Sequence, residues 1–348
     1  MSAHVWIKRV LYIFIIILAL LAAKGYNLYR KAYAANIFTP DRKELILLIP
    51  SGSQYEDVLE IIKQKKIVKN MASFKWATEK KNYPRLVKPG RYEVKNRMSN
   101  NDFVDMLRAG NQKPVNLTFN NIRTLSQFAE RIGEQLEMEA EELYRLLVTD
   151  SVRKKYGFDK YTIKCMFLSD TYEIYWNISP ENFLERMYDE YDKFWKGRND
   201  RKADEIGLSR EEVITLASIV NEETIKDEEK PRIAGVYMNR LNKSMRLQAD
   251  PTVIYAVGDF NIQRVLRRHY NIDSPYNTYK VDGLPPGPIN IPDKSSIYAV
   301  LNYEKHKYLY FCAKPDFSGY HNFARTLEEH NKNAALYRKE LNKRRIYR

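Results

Sequence analysis

The hydrophobic pattern divides the chain into an apolar N-terminal run and a longer part with shorter helix and strand patterns. Val10 to Ala23 is uninterrupted apolar sequence. With its aromatic flanks the run covers about 20 residues, which is enough to span a bilayer. We predict a cytoplasmic tail and membrane anchor in residues 1–36. A cleaved signal peptide is the alternative, because the strictly apolar core is short and Lys8 and Arg9 precede it. Basic residues stand on both sides of the run and encode its orientation only weakly.

Residues 37–113 have the pattern of a small domain. Glu44 to Pro50 reads as a strand, and Ser53 with Glu56 is predicted to cap a helix. Met71 to Lys81 fits a second helix, and Gly90 to Val94 reads as a second strand. This β-α-α-β order, with the opening IPSGSQYEDVLEIIKQKKIV, resembles a LysM-type glycan-binding module. The alternative is a small α+β adaptor domain without a ligand.

Helix patterns dominate residues 114–348, which we predict to be a second, helix-rich α+β domain. The boundary is placed near Lys113 and Pro114. The predicted strands are Val115–Phe119 and Tyr308–Ala313, and the predicted helices include Ala140–Leu147, Pro180–Trp195, Leu208–Thr224 and Pro231–Leu241. The fold class predicted for the whole chain is α+β behind an N-terminal transmembrane helix.

The predicted helix from Leu208 to Thr224 carries an acid at the edge of an apolar face. Ser209 and Glu212 form a capping box that marks its start. At about 100° per residue, Glu223 projects at the edge of the apolar stripe and Glu222 points to the opposite side. The stripe itself consists of Val213, Leu216, Ala217 and Val220.

Glu223 is therefore the candidate proton donor of this helix. A carboxyl group held against an apolar wall has its charged form disfavoured, which raises its pKa and suits it to donate a proton near neutral pH. The alternative is a boundary glutamate whose carboxylate reaches water.

Three stretches that follow Glu223 combine polar, aromatic and rigid residues. They are Met245–Ala256, Ser274–Asn290 and Tyr308–Asn331. Aromatic faces stack on sugar rings and amides bond their hydroxyl groups, so this composition is typical of a sugar cleft. Each stretch on its own is equally consistent with a well-packed turn.

Two further features of these stretches have competing readings. Asp250 is a candidate second carboxylate of a glycosidase pair, but an aspartate directly before Pro251 is also a common turn opener. His321 and His330 lie nine positions apart without an evident third ligand, so we predict no metal site and no cofactor.

Composition limits the class of protein. The chain has 348 residues, 44% of them hydrophobic, which is enough for two folded domains. The net charge of +14 indicates anionic surroundings, such as nucleic acid, acidic lipid or an acidic polymer. Cys165 and Cys312 are too few for a zinc site or disulfide framework; they either pair with each other or stay as separate core thiols.

Six motifs in one order resemble the YceG-like family of endolytic murein transglycosylases. The resemblance covers roughly Val115 to Leu341, with the apolar run and the LysM-like segment before it. The motifs are LASIVNEET, AGVYMNRL, MRLQADPTVIY, YNTY, GLPPGPI and HNFARTLEEHN.

The resemblance implies a single-pass protein of the bacterial cytoplasmic membrane whose catalytic domain faces the wall. It implies cleavage between N-acetylmuramic acid and N-acetylglucosamine within nascent peptidoglycan strands, leaving a 1,6-anhydromuramyl end. The family motif places the catalytic acid at Glu223. The expected substrate-binding residues are Gln248, Asp250, Tyr276, Asn277, Thr278, Tyr279 and Asn290.

The chain departs from the family pattern in one segment and leaves rival functions open. Lys164, Cys165 and Ser169 stand where many members have a Glu-Gly pair and a proline, which puts the local loop shape in doubt. A membrane-anchored, non-catalytic scaffold that binds peptidoglycan and recruits wall synthases is the main alternative, and an ordinary hydrolase is another. A nucleic-acid binder is disfavoured, because the anchor would place the basic domain on the wrong side and no recognition helix stands out.

Overall fold

The computed structural model describes residues 3–262 and 264–344. These form two compact units: Met1–Val115 with Glu173–Ile178, and Asn116–Tyr172 with Ser179–Arg348. The terminal residues 1, 2 and 345–348 of the predicted domains lie outside the described residues. Both helices and small sheets occur, so the α+β class is confirmed, whereas the functional division into 1–36, 37–113 and 114–348 stays a prediction.

The first unit begins with one long apolar helix, α1 (Ala3–Tyr33). Its segment Trp6–Tyr33 has 28 residues and a mean hydropathy of 2.2, and none of its most apolar window is buried in the protein. A helix of this length and composition can cross a bilayer, and a signal sequence has the same properties. The predicted helix is confirmed, and the choice between anchor and signal sequence stays open.

The rest of the first unit has the predicted β-α-α-β order. β1 and β2 pair antiparallel with Leu45 opposite Val94, and α2, α3 and α4 complete a core that includes Phe74, Tyr83 and Phe103. The predicted cap at Ser53 is wrong by one residue, because the capping box joins Gln54 and Asp57. The elements are β1 (Leu45–Ile49), α2 (Tyr55–Lys65), α3 (Met71–Lys80), β2 (Gly90–Val94) and α4 (Asn100–Ala109).

The second unit is built mainly of helices. Two further two-stranded sheets pair Val115–Phe119 with Asp170–Ile174 and, antiparallel, Tyr310–Ala313 with His321–Ala324. Single turns of 3-10 helix lie at Pro40–Arg42 and Tyr83–Arg85 in the first unit, and at Ile163–Met166 and His269–Asn271 in the second. The remaining elements are β3 (Val115–Phe119), α5 (Leu125–Gly133), α6 (Ala140–Val148), α7 (Asp150–Lys155), β4 (Asp170–Ile174), α8 (Pro180–Trp195), α9 (Arg198–Ile206), α10 (Arg210–Glu223), α11 (Lys230–Leu241), α12 (Asp250–Val257), α13 (Lys294–Leu301), β5 (Tyr310–Ala313), β6 (His321–Ala324) and α14 (Leu327–Lys343).

Helix α10 lies at the centre of the second unit. The predicted capping box is confirmed, since Ser209 Oγ accepts from the Glu212 backbone N–H and the Glu212 carboxylate accepts in return. Every residue from Val213 to Val220 is buried, so the predicted single stripe was too narrow. Because α11, α12 and α13 pack around it, the helix is fixed in place up to its last turn.

Asp250 and Pro251 do not form the predicted turn. They occupy the first turn of α12, where a proline loses nothing because the first backbone N–H groups of a helix have no partner within it. The prediction was wrong because an Asp-Pro pair suits both a turn and a helix start. The helix start carries the Asp250 carboxylate at a fixed position.

Candidate active site

Glu223 is the last residue of α10, and its carboxylate leaves the helix beside the hydroxyl group of a buried tyrosine. Its Oε1 accepts a 2.6 Å hydrogen bond from Tyr237 Oη on α11. Tyr237 is 2% exposed. Among the described residues, no lysine, arginine or histidine lies within ion-pair distance of Glu223. Within that part of the chain, the carboxylate therefore has a hydrogen-bond donor but no ion-pair partner.

These surroundings raise the pKa of Glu223 from 4.5 to about 7. Removal from water is the largest cause, because burial disfavours the charged form. The hydrogen bond from Tyr237 and the positive charge of Arg240 act in the opposite direction. The negative charges of Asp250 and Glu222 add to the increase. The sequence-based expectation of an elevated pKa agrees with this geometry.

Glu223 opens into a cavity of about 370 Å³. Helices α10, α11 and α12 and the β5–β6 hairpin all contribute to its walls. A cavity of this size with several polar groups can hold part of a carbohydrate chain. Its lining residues are Glu223, Tyr237, Arg240, Leu247, Gln248, Asp250, Tyr279, Tyr310, Phe311, Cys312, Ala313, His321, Leu327 and His330.

Three of the predicted substrate-binding residues line this cavity together with Glu223. Asp250 Oδ1 accepts hydrogen bonds from Tyr279 Oη at 2.7 Å and from Tyr270 Oη at 3.2 Å. Gln248 has an exposed side chain and a left-handed backbone with φ of 48°. Asp250, Tyr279 and Gln248 thus accompany Glu223 in one space.

The other four predicted residues lie outside the lining of that cavity. Asn277 is fully buried and its Nδ2 donates to the carbonyl oxygens of Tyr270 and Ile272. Thr278 is fully buried as well, and its Oγ1 accepts from the Ala249 backbone N–H at 3.0 Å. Asn277 thus holds the backbone at Tyr270, and Thr278 holds the backbone between Gln248 and Asp250. Both residues support the cavity wall without lining it.

Tyr276 and Asn290 also have partners inside the protein. The ring of Tyr276 packs on Tyr255 with centroids 4.6 Å apart. Asn290 Nδ2 donates to Glu222 Oε1 at 2.6 Å, whereas its buried Oδ1 has no hydrogen-bond partner among the residues that the structure describes. Direct contact of these two residues with a substrate stays a prediction.

Glu222 lies in different surroundings from Glu223. It forms an ion pair with Arg123 at 2.8 Å and accepts the hydrogen bond from Asn290. It lines a separate cavity of about 100 Å³ together with Arg123, Tyr255 and Phe260. The predicted separation of the two adjacent glutamates is confirmed.

Sequence reasoning missed several groups around Glu223. Tyr237 and Arg240 come from the AGVYMNRL motif, where they stand three positions apart on one face of α11. The signal that could have identified them is a tyrosine and an arginine on the buried face of a helix, where polar ends need partners. Arg240 donates to the carbonyl oxygens of Leu309 and Leu247, both at 2.7 Å.

The segment that departs from the family pattern is well packed. Lys164 is buried and donates to the Arg123 carbonyl at 3.1 Å and to Tyr255 Oη at 2.9 Å. Burial lowers its pKa from 10.5 to about 7. Ser169 Oγ lies 3.4 Å from the Ile291 carbonyl oxygen. Cys165 and Cys312 are both free thiols, so the disulfide alternative is wrong.

The arrangement suits acid–base chemistry by one carboxyl group. Glu223 can donate a proton near neutral pH and, once charged, is stabilised by Tyr237. Within residues 3–262 and 264–344, no group of three histidine, cysteine, aspartate or glutamate side chains is arranged to hold a metal ion. The polar walls supply hydrogen-bond partners of the kind that sugar hydroxyl groups use.

Comparison with known proteins gives matches over most of the chain. Residues 47–336 match the model of the YceG-like family. The endolytic murein transglycosylase of Streptococcus pneumoniae serotype 2 strain D39 is 30% identical over 94% of this chain. The protein of the same name from Bacillus subtilis strain 168 is 29% identical over 90% of it. The chain spans 65% of the length of the pneumococcal relative and 90% of the B. subtilis one.

A solved protein structure is also similar to this chain. The crystal structure of a putative yceG-like protein from Listeria monocytogenes superposes with a TM-score of 0.55 and 29% sequence identity. The match covers 84% of this chain and 99% of the Listeria chain.

Proposed function

The chain belongs to the YceG-like family, and from this premise we propose that it is an endolytic lytic transglycosylase acting on peptidoglycan. It cleaves the bond between N-acetylmuramic acid and N-acetylglucosamine within nascent glycan strands and leaves a 1,6-anhydromuramyl end. The names of the pneumococcal and B. subtilis relatives support this activity and do not favour the scaffold alternative. The observation that carries the proposal is Glu223, a carboxyl group in a polar cavity whose pKa is elevated and which has no ion-pair partner among residues 3–262 and 264–344.

Glu223 acts twice in the proposed reaction. Protonated, it donates its proton to the glycosidic oxygen as the bond from that oxygen to C1 of the muramyl residue breaks. The 6-hydroxyl oxygen of the same sugar then bonds to C1, and its proton passes to the Glu223 carboxylate. The acid is regenerated, no water is added, and no enzyme nucleophile or cofactor takes part.

Asp250, Tyr279 and Gln248 are proposed to bind the sugar next to Glu223. The Asp250 carboxylate supplies negative charge to the cavity, which favours a sugar with oxocarbenium character and helps to keep Glu223 protonated. Tyr279 is held by its hydrogen bond to Asp250, and Gln248 offers an exposed amide. Tyr276, Asn277, Thr278 and Asn290 then act by supporting the walls.

The N-terminal elements are proposed to place the enzyme at its substrate. Helix α1 is an uncleaved single-pass anchor in the bacterial cytoplasmic membrane, and the catalytic unit faces the wall. The β-α-α-β segment, proposed to be LysM-like, binds the same glycan. An enzyme anchored there can terminate glycan polymerisation next to the peptidoglycan synthases, which are the proposed protein partners.

Product masses test the proposed reaction. Full-length protein in detergent is incubated with uncrosslinked glycan strands, in parallel with Glu223→Gln and with Glu222→Gln as the matched neighbour. We expect anhydromuropeptides from the unmodified protein and from Glu222→Gln, and at most traces from Glu223→Gln. Products heavier by one water would identify a hydrolase. Glycan binding without any product would identify the scaffold. Equal product from Glu223→Gln would refute the role of Glu223.

A further inference from the structure

A histidine in the wall of the cavity is held by a buried glutamate that the proposed reaction does not use. His321 Nδ1 lies 2.7 Å from Glu229 Oε2, and the backbone N–H of His321 donates to Glu229 Oε1 at 2.9 Å. Glu229 is 6% exposed, and 92 positions separate the two residues in the chain. Two contacts from one carboxylate to one residue fix both the β6 backbone and the plane of the imidazole ring.

The position of Glu229 fixes which ring nitrogen carries the proton. Glu229 stands at the N-cap of α11, where the unpaired backbone N–H groups of the helix favour a negative charge. In the described part of the chain, His321 is its sole ion-pair partner. A carboxylate can only accept, so Nδ1 of His321 donates, and in the neutral ring Nε2 is left as a hydrogen-bond acceptor.

His321 lines the same cavity as Glu223. His321 is one of the lining residues, and no hydrogen bond joins its Nε2 to any group in residues 3–262 or 264–344. The ring of Phe311 lies edge-on to His321 at 5.3 Å and to Tyr237 at 5.9 Å, and Tyr237 bonds Glu223. His321 and Glu223 are therefore connected through the packed rings of Phe311 and Tyr237.

We propose that His321 Nε2 accepts a hydrogen bond from a hydroxyl group of the glycan bound beside Glu223, and that Glu229 is the positioning residue that places the single proton of the neutral ring on Nδ1. This rests on the proposed function for the identity of the ligand. A glycan has hydroxyl donors on every ring, and a carboxylate-held imidazole is an acceptor that needs no reorganisation when the sugar arrives. His330, also in the cavity wall, differs because its buried Nδ1 has no hydrogen-bond partner in the described part of the chain and its ring stacks on Tyr310.

The protonation of the imidazole can be measured without any reaction. The imidazole ¹⁵N chemical shifts of histidine-labelled, full-length protein in detergent are recorded, with the His321 signals assigned by their loss in His321→Gln. For the neutral ring of the unmodified protein we expect the proton on Nδ1 and none on Nε2. In Glu229→Gln the amide oxygen accepts the backbone N–H and the amide NH₂ donates to Nδ1, so the proton moves to Nε2. Glu228→Gln is the matched control, since Glu228 is the exposed neighbour and bonds Tyr320. Identical shifts in Glu229→Gln would overturn the positioning role.

Binding tests the contact with substrate. Glu223→Gln protein, which keeps the cavity but lacks the acid, is titrated with uncrosslinked glycan strands. Adding His321→Ala is expected to weaken binding by roughly 3- to 10-fold, the effect of one net hydrogen bond. His321→Gln should recover part of the loss through its amide oxygen, Glu229→Gln should weaken binding similarly to His321→Ala, and Glu228→Gln should leave binding unchanged.

The results separate this inference from the proposed function. Unchanged binding in His321→Ala, with a thermal midpoint equal to that of the parent, would overturn the contact with glycan. If Glu229→Gln fails to fold, the comparison of glycan binding by His321→Ala and His321→Gln still decides whether His321 contacts the glycan. Loss of binding in His321→Ala, with no anhydro product from the unmodified protein, would retain the glycan contact and refute the transglycosylase reaction.

Discussion

Two adjacent glutamates of α10 lie in contrasting surroundings. Glu222 is paired with Arg123 at 2.8 Å and bonded by Asn290, and it lines a cavity of about 100 Å³. Glu223 faces a cavity of about 370 Å³ with Tyr237 as its donor and no counter-ion in the described part of the chain. The same helix end therefore presents one carboxylate that is ion-paired, Glu222, and one whose charged form is disfavoured by burial, Glu223.

The difference shows that burial and the nearest charged partner together decide the chemistry of such a pair. An ion pair stabilises the charged form of a carboxylate, whereas removal from water without a cation stabilises the neutral form. Glu223 is thereby prepared to donate a proton near pH 7, and Glu222 is committed to holding Arg123 and Asn290. Substitutions that exchange or remove these partners test the comparison.

The largest difference is expected in the rate of the reaction. Glu223→Gln removes the transferable proton and should lower kcat by about 10²- to 10⁴-fold. Glu222→Gln keeps an acceptor for Asn290 and should lower kcat less than about tenfold. Initial rates of anhydromuropeptide release, measured with both full-length variants, check this. Similar losses in the two variants would contradict the division of roles.

The second-largest effect is expected in how the stability of the folded protein changes with pH. With a pKa near 7 in the folded protein and 4.5 when unfolded, Glu223 holds a proton between these values that the unfolded chain has lost. The contribution of Glu223 to stability is therefore complete below pH 4.5 and is lost as the pH rises to about 7. Over this range the free energy of unfolding should fall by about 3 kcal/mol.

Thermal unfolding in detergent at a series of pH values measures this contribution. The midpoint of the unmodified protein, relative to that of Glu223→Gln, should fall between pH 4.5 and 7 and then stay level. Glu222→Gln is the control, and its unfolding midpoint should show the same decrease between pH 4.5 and 7, because it retains Glu223. A difference that does not change with pH would show that Glu223 titrates at its ordinary pKa.

A smaller effect is expected from the ion pair of Glu222. Arg123→Met leaves the largely buried carboxylate of Glu222 without its cation and should destabilise the protein. Because both side chains keep some contact with water, the coupling in a double-mutant cycle of Arg123→Met and Glu222→Gln should be about 1 kcal/mol. Additive effects of the two substitutions would show that the pair contributes nothing.

The smallest effects are opposite shifts in the pH profile of activity. Tyr237→Phe removes the hydrogen bond that lowers the pKa of Glu223, so the loss of activity at high pH should move to higher pH. Asp250→Asn removes a negative charge that raises this pKa, so the loss should move to lower pH. Profiles of kcat/KM against pH measure both. Shifts in the same direction would contradict the assigned causes.

Local signals in the sequence pointed to Glu223 as the candidate acid, because they act within one helix. The capping box at Ser209 set the helix start, and the helical period then placed Glu223 and Glu222 on different sides. The motif order added the family. No contact with a distant residue was needed for these steps.

Long-range partners could not be predicted in the same way. Tyr237 reaches Glu223 because α11 packs on α10, and His321 meets Glu229 through the β5–β6 hairpin. Such pairings depend on how elements pack, which one sequence does not encode locally. Asn277, predicted to bind sugar, has side-chain partners that lie in its own loop, where a buried amide satisfies backbone carbonyl groups.

The left-handed backbone of Gln248 implies a trade-off between stability and activity. A residue other than glycine in this conformation raises the energy of the folded state by about 1 kcal/mol or more. Glycine would remove that strain, yet it would also remove the exposed amide from the cavity. If the amide binds glycan as proposed, Gln248→Gly gives a protein that resists heat better and works less well. A search for substitutions that relieve backbone strain would therefore select this change at the expense of the proposed activity.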